Sequence, residues 1–283
     1  RLRLRPRVLR GVAQRSTEVT LLGDQKLSLP VGISPTAAHG DVHTDGEVAT
    51  AKAARDAKTV MVLSTFSHTS IEDVRSAVPD GLLWFQTSIY GDRDFTRHLV
   101  ERAERAGYKA LLLTVDMAVP GRWKEKRITA ATSLIHRPKM ANLLGTSMDH
   151  YADRRGGGYA GMIDASVTWD DVTWLKGISK LPVVAKGILT AEDAEEAIKH
   201  GVSAILVSNH GGRQLDGLPS TVCPTAAARY TFFFLANAGI AIPLWHFSLY
   251  FEKFHALRPQ KSDDSSWCDQ ISAPPLCRCF LFR

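Results

Sequence analysis

Between residues 27 and 208 the sequence alternates between short apolar runs rich in β-branched residues and longer stretches of helix formers with one apolar face. The runs are 27–34, Thr59 to Leu63, Leu82 to Ile89, Lys109 to Val115, Leu181 to Lys186 and Ser203 to Ser208. Strands separated by helices pair in parallel, because a crossover of that length returns the chain to the same end of the sheet. Such units build either an open doubly wound sheet or a closed (β/α)₈ barrel, and 283 residues suffice for a barrel, which takes about 250. The first strand-to-helix turn has no Gly-x-Gly-x-x-Gly, so a dinucleotide-binding open sheet lacks its phosphate loop. The pattern therefore predicts an α/β fold of the TIM (β/α)₈ type, incomplete, with six units recognisable.

Local signals set the helix boundaries. Asp45 stands as an N-cap with Glu47 in the first turn behind it, and Ser70 caps a helix from Ile71 to Ala77. From Asp92 to Ala106, Phe95, Leu99, Val100 and Ala103 share one face. Trp169 to Ile178 and Ala191 to His200 read as the last two helices. Residues 117–168 break the alternation, contain Gly156-Gly157-Gly158 and follow neither period, as a functional loop of a barrel does.

A barrel presents its chemistry at the C-terminal ends of its strands. Pro35, Thr36 and Ala37, then Ser64, Gln86, Thr114, Asp116, Lys186, Ser208 and His210 all fall there, and so are expected on one rim. The richest strand end is Ser208-Asn-His-Gly-Gly-Arg-Gln-Leu-Asp216. His210 suits a general base, imidazole being the side chain able to take up and release a proton near neutral pH; Arg213 suits a carboxylate, which a guanidinium holds through two parallel hydrogen bonds, and Gly211-Gly212 lets a ligand approach the backbone. Asp116 is placed to orient the imidazole. Lys186, between Val-Val-Ala and Gly187, is a cation able to offset charge on a reduced cofactor. The structural alternative has His210 capping its strand and Arg213 pairing with Asp216.

Composition narrows the function classes. Hydrophobic residues make up 45% and charged residues 23%, enough apolar material for a large core and too much for disorder. The net charge of +6 is most visible in Arg1, Arg3, Arg5, Arg7 and Arg10, but no stacking aromatics accompany them, so nucleic acid is not an expected partner. No leader with a long apolar centre opens the sequence, which argues against secretion. Residues 223–283 differ in kind: all four cysteines and twelve of the 23 aromatic residues lie there. Cys268, Cys277 and Cys279 lack zinc-site spacing, and no metal is expected. Tyr230 to Phe251 carries no fixed charge and has the length of a membrane span, about 20 residues. The chain accordingly divides into a partial barrel, residues 1–222, and an unmatched tail, residues 223–283.

The residues around His210 are similar to the active-site signature of the FMN-dependent α-hydroxy-acid oxidases and dehydrogenases, peroxisomal 2-hydroxyacid (glycolate) oxidases above all. The resemblance extends over residues 3–222 through Pro35-Thr-Ala, Leu63-Ser-Thr-Phe, Trp84-Phe-Gln, Leu113-Thr-Val-Asp and Val184-Ala-Lys-Gly-Ile-Leu-Thr. It implies oxidation of a small (S)-2-hydroxy acid to the 2-oxo acid, with oxygen reduced to hydrogen peroxide. By the same resemblance His210 is the proton acceptor, Asp116 its partner and Arg213 the substrate clamp. Pro35, Thr36, Ala37, Ser64, Gln86, Thr114, Lys186 and Ser208 are the FMN contacts. It also implies a homo-oligomer and a peroxisomal location, a cytoplasmic one being the alternative. Three departures accompany it. Ser88 stands where the family has a tyrosine, a second family arginine falls near Trp123 with Arg122 just beside it, and residues 223–283 hold no counterpart of the Asp-Gly-Gly-x-Arg and Gly-Arg stretches that bind the FMN phosphate. Two alternatives follow: an inactive truncated or alternatively spliced fragment, and a membrane-attached protein anchored through residues 230–251.

Overall fold

A computed structural model describes residues 8–9, 11–119, 139–152 and 161–221, together with the backbone of 240–241. Its centre is a sheet of parallel strands in the order β8-β7-β6-β5-β4-β3. These are β3 (Gly32–Ile33), β4 (Val60–Ser64), β5 (Leu82–Thr87), β6 (Leu111–Thr114), β7 (Val183–Ile188) and β8 (Ala204–Val207). Each strand neighbours the next in sequence, which is the order of a barrel wall rather than of a doubly wound sheet, where the order reverses. A two-residue strand, β9 (Ile240–Ala241), pairs antiparallel with β3.

The first predicted run is corrected by the structure. Residues 27–34 are not one strand: Leu27 ends β2 (Gln25–Leu27), which pairs antiparallel with β1 (Val19–Leu21). Pro30, which has no amide to give to a ladder, separates this hairpin from β3. The hairpin has a structural task. Val19, Leu21 and Leu27 pack with Val60, Val62, Trp84, Leu112, Val184 and Leu206, closing the lower part of the sheet's inner face. Gln25 accepts a 2.7 Å hydrogen bond from the Trp84 indole and donates one of 3.3 Å to the Lys109 carbonyl. A buried indole N–H left without a partner costs about 1–3 kcal/mol.

The alternate residues face outward. Met61, Leu63, Leu83, Phe85, Leu111 and Leu113 meet the helices, so the strands read as near-continuous apolar runs, being covered on both faces. The helices are α1 (Gly46–Asp56), α2 (Ile71–Ala77), α3 (Arg93–Arg105), α4 (Trp169–Ile178) and α5 (Ala191–Lys199). The Ser70 hydroxyl accepts from the Asp73 amide, as expected, and Asp92 caps α3 by accepting from the Phe95 amide. Asp45 holds the cap position of α1 without making a side-chain bond to it. Glu47 lies in the first turn, as expected, and is drawn fully inside.

Within 117–168, residues 120–138 and 153–160 lie outside the described set. The described part makes two single-turn 3₁₀ helices, Ala141–Leu143 and Asp149–Tyr151, and returns through a bridge between Tyr90 and Ile163. Arg93 secures that return with ion pairs to Asp164 at 2.8 Å and Asp171 at 2.7 Å. Trp123, the cysteines and the side chains of Tyr230 to Phe251 fall outside the described residues. Among the described residues no helix is long and apolar enough to cross a membrane, and no group of three or more His, Cys, Asp or Glu side chains is gathered for a metal.

Candidate active site

Side-chain alternation decides what the mouth of the sheet contains. On β4 to β8 the inner face runs upward from Val62, Trp84, Leu112, Val184 and Leu206 to Ser64, Gln86, Thr114, Lys186 and Ser208. An apolar layer therefore lies beneath a polar one, and five of the eleven sequence-predicted site residues converge there by register alone.

The layer is uncharged on one side. Gln86 is its hub: Ser64 Oγ donates to Gln86 Oε1 at 3.1 Å, the Thr65 amide donates to the same oxygen at 3.2 Å, and Gln86 Nε2 donates to Thr114 Oγ1 at 3.1 Å. The Phe66 amide donates to Ser64 Oγ at 3.2 Å.

The other side is charged. Asp116 follows β6, Lys186 lies on β7 and His210 follows β8. His210 Nδ1 lies 2.8 Å from Asp116 Oδ1 and 3.2 Å from Lys186 Nζ, while Lys186 Nζ lies 3.7 Å from Asp116 Oδ2. A carboxylate only accepts, so the 2.8 Å contact is made by a proton on Nδ1. Lys186 is 5% exposed. Burial pulls its ammonium below the ordinary lysine range, opposed by the charge of Asp116. Asp116 Oδ2 is buried with no hydrogen-bond partner. His210 itself sits at φ +57°, an uncommon backbone conformation for a non-glycine residue, followed by Gly211 and Gly212 at +67° and +69°. Its amide donates to Ser208 Oγ at 2.9 Å, and the Gln214 amide group donates to the Asp116 carbonyl at 3.1 Å.

The remaining predicted residues are placed less tightly. Pro35 is half-buried, with Thr36 and Ala37 exposed, on the loop leaving β3. Arg213 is exposed at the end of the His210–Gly212 turn, outside the Asp116–Lys186–His210 group. Ser88 is buried just beyond β5.

Sequence reasoning missed three contributors. Glu47 Oε1 accepts from the His39 amide at 3.0 Å and the His68 amide at 3.1 Å, and Oε2 accepts from Thr69 Oγ1 at 3.0 Å. It thus ties the loop after β3 to the loop after β4. Burial alone would raise this carboxyl, but its own amide, those of His68 and His39 and the Thr69 hydroxyl outweigh burial and hold it below 4.5. Asn142 grips the same second loop from the far side, donating to the Thr65 carbonyl at 3.2 Å and Ser67 Oγ at 2.9 Å. Ser34, at the end of β3, keeps a buried hydroxyl without a partner. Only the acidic type of Glu47 hinted at a role; Asn142 and Ser34 carried no sequence signal.

Orphaned buried polar atoms cost about 1–3 kcal/mol each. Asp116 Oδ2, 3.7 Å from the buried Lys186 ammonium, is one such atom at the mouth, where the Gln86 amide and the Ser64 and Thr114 hydroxyls also stand. The donors, acceptor and cation fit the edge of a flavin ring.

Comparison with known proteins gives the same direction. Residues 1–230 match the model of the family described as FMN-dependent dehydrogenase. The chain is 41% identical over 232 residues to 2-hydroxyacid oxidase 1 of Mus musculus, covering 78% of this chain and 61% of the relative. It is 44% identical over 226 residues to glycolate oxidase of Spinacia oleracea, with coverage of 78% and 60%. It thus spans about three fifths of the length of these curated relatives. Among solved structures it is similar to a lactate oxidase of Pediococcus acidilactici, at 33% identity and a TM-score of 0.68, covering 78% of this chain and 58% of that one. On the match over residues 1–230, and on these identities, the chain belongs to the FMN-dependent dehydrogenase family.

Proposed function

We propose that this chain carries the catalytic rim of an FMN-dependent 2-hydroxy-acid oxidase, turning a small (S)-2-hydroxy acid into its 2-oxo acid while oxygen becomes hydrogen peroxide. The observation that carries the proposal is the Asp116–Lys186–His210 group, built around the buried Lys186, facing a neutral ladder of Ser64, Gln86 and Thr114 across one mouth. The chemistry is assigned to residues 1–222, and none to 223–283.

In this reading Pro35, Thr36, Ala37, Ser64, Gln86, Thr114, Lys186 and Ser208 hold FMN. FMN supplies, when bound, the acceptor for the two electrons that leave the substrate. His210 takes a substrate proton at Nε2, with Nδ1–H held by Asp116. Before the reaction the group balances, one carboxylate against one ammonium with a neutral imidazole; proton uptake adds one positive charge. That charge is stabilised by Asp116 at 2.8 Å and by the carboxylate of the substrate, which Arg213 clamps. Lys186, kept out of water, offsets negative charge on the cofactor edge. Relatives named for glycolate and for lactate support the class of substrate rather than one member of it. The proposal extends to a peroxide-handling compartment such as the peroxisome, and to a homo-oligomer.

The test is a flavin titration of the purified full chain followed by anaerobic addition of glycolate or L-lactate. Bound flavin that bleaches on substrate, and peroxide on readmission of air, are expected. A folded chain that leaves FMN free would overturn the proposal in favour of the non-catalytic alternative.

A further inference from the structure

The charged side of the mouth depends on a space that a side chain would fill. Alternation along β7 would put Lys186 and Ile188 on the same face, yet Lys186 faces the mouth and Ile188 is buried outward with Ala185, Ala194, Ile205 and Val207. The register between β7 and β8 shifts between Lys186 and Ile188, so one residue, Gly187, is a bulge that turns the strand over. Gly187 stands at φ +114°, a conformation that L residues rarely adopt. A Cβ there would lie 2.6 Å from Asp116 Cβ, 2.7 Å from Asp116 Cγ and 3.0 Å from the Asp116 amide nitrogen. The neighbouring backbone is already committed, since the Val115 amide donates to the Lys186 carbonyl at 2.9 Å. Asp116 therefore enters the mouth through the notch that Gly187 leaves.

From this we infer that Gly187 is a positioning residue: its bulge and its missing side chain set the Asp116 carboxylate against His210 Nδ1 and Lys186. The inference deepens the proposed function, resting on His210 as the base, but it concerns a hydrogen bond present without cofactor or substrate. Any side chain at 187 displaces the carboxylate, and the imidazole loses the acceptor that fixes its tautomer.

Two measurements on the full chain without flavin test this. In proton NMR the His210 Nδ1–H held by Asp116 gives a downfield resonance, assigned by its loss in His210→Ala. Gly187→Ala, with its circular dichroism unchanged, is expected to lose it; retention at the wild-type position overturns the inference. If Gly187→Ala unfolds, a stability cycle decides. Asp116→Gly removes two of the three clashing atoms, so Gly187→Ala should lower the unfolding temperature clearly less in that background than in the wild type. An equal loss in both backgrounds means that Gly187 serves the strand alone, and also overturns the inference. Neither measurement needs bound flavin or turnover, so failure of the oxidase proposal is read separately from failure of this one.

Discussion

The two sides of the mouth are built on opposite principles. From β4 to β6, Ser64, Gln86 and Thr114 are neutral, and the Gln86 amide is engaged at both ends within the chain. From β6 to β8, the charged Asp116 and the buried, charged Lys186 meet the half-buried imidazole of His210, and one carboxylate oxygen is left without a hydrogen bond. A saturated neutral network costs little to keep and makes a fixed surface. A buried charged group is costly unless each member is answered, and its surplus interactions are then available to a ligand. In the proposed function the first side is the platform for the cofactor and the second is the side that reacts.

The sharpest test of that division is His210→Ala, which should lower turnover with glycolate or lactate by about 10²- to 10⁴-fold, the usual worth of a general base. Flavin affinity, read by fluorescence quenching, should barely change, and a matching loss of flavin would merge the two sides into one. Next in size is Asp116→Ala. It leaves Lys186 buried without its counter-charge, and denaturant unfolding should show a loss of roughly 3–5 kcal/mol. Adding Lys186→Met should recover most of it; no recovery would mean that the pair is not energetically coupled.

Glu47 lies beneath the platform side and links the loops leaving β3 and β4. Its folded pKa is depressed below 4.5, so the charged form is favoured by folding. That contribution is fully present above the unfolded value and is lost as pH falls through the folded one. Acid unfolding curves below about pH 5 should therefore be steeper for wild type than for Glu47→Gln, with Glu47→Gln less stable at neutral pH by about 1–3 kcal/mol. Parallel curves would show that the clasp works without its charge. The smallest effect expected is for Ser64→Ala, about 1–2 kcal/mol, because the two hydrogen bonds lost, to Gln86 Oε1 and from the Phe66 amide, are neutral and Gln86 Oε1 still accepts from the Thr65 amide. A cost equal to that of Asp116→Ala would erase the contrast.

Much of this was legible before any fold was known. The runs at Thr59, Leu82, Lys109, Leu181 and Ser203 each contain an observed strand, and the helix over Trp169–Ile178 has the predicted bounds. Ser64, Gln86, Thr114, Lys186 and Ser208 were legible because strand parity is a local property: once the strands are placed, every second residue at the C-terminal end faces inward. The hairpin of Val19–Leu21 with Gln25–Leu27 was not, since three-residue strands give too short a pattern and Leu27 was absorbed into the next run. Glu47 was placed in the first turn of its helix, but its burial was not legible, because an acid there ordinarily faces solvent and only the loops after β3 and β4 bring donors to it.

The sequence by itself determined the parallel strands, their order and the row of polar residues on one rim, because these depend on alternation and on turn chemistry within a few residues. Only the tertiary structure decided that Asp116, Lys186 and His210 form one group, although successive members are 70 and 24 positions apart in the sequence. It alone decided too that Gly187 must have no side chain for them to meet, since that requirement comes from an aspartate on a different strand end. Distances between strand ends depend on register, bulge and twist together, and no single segment of the chain specifies all three.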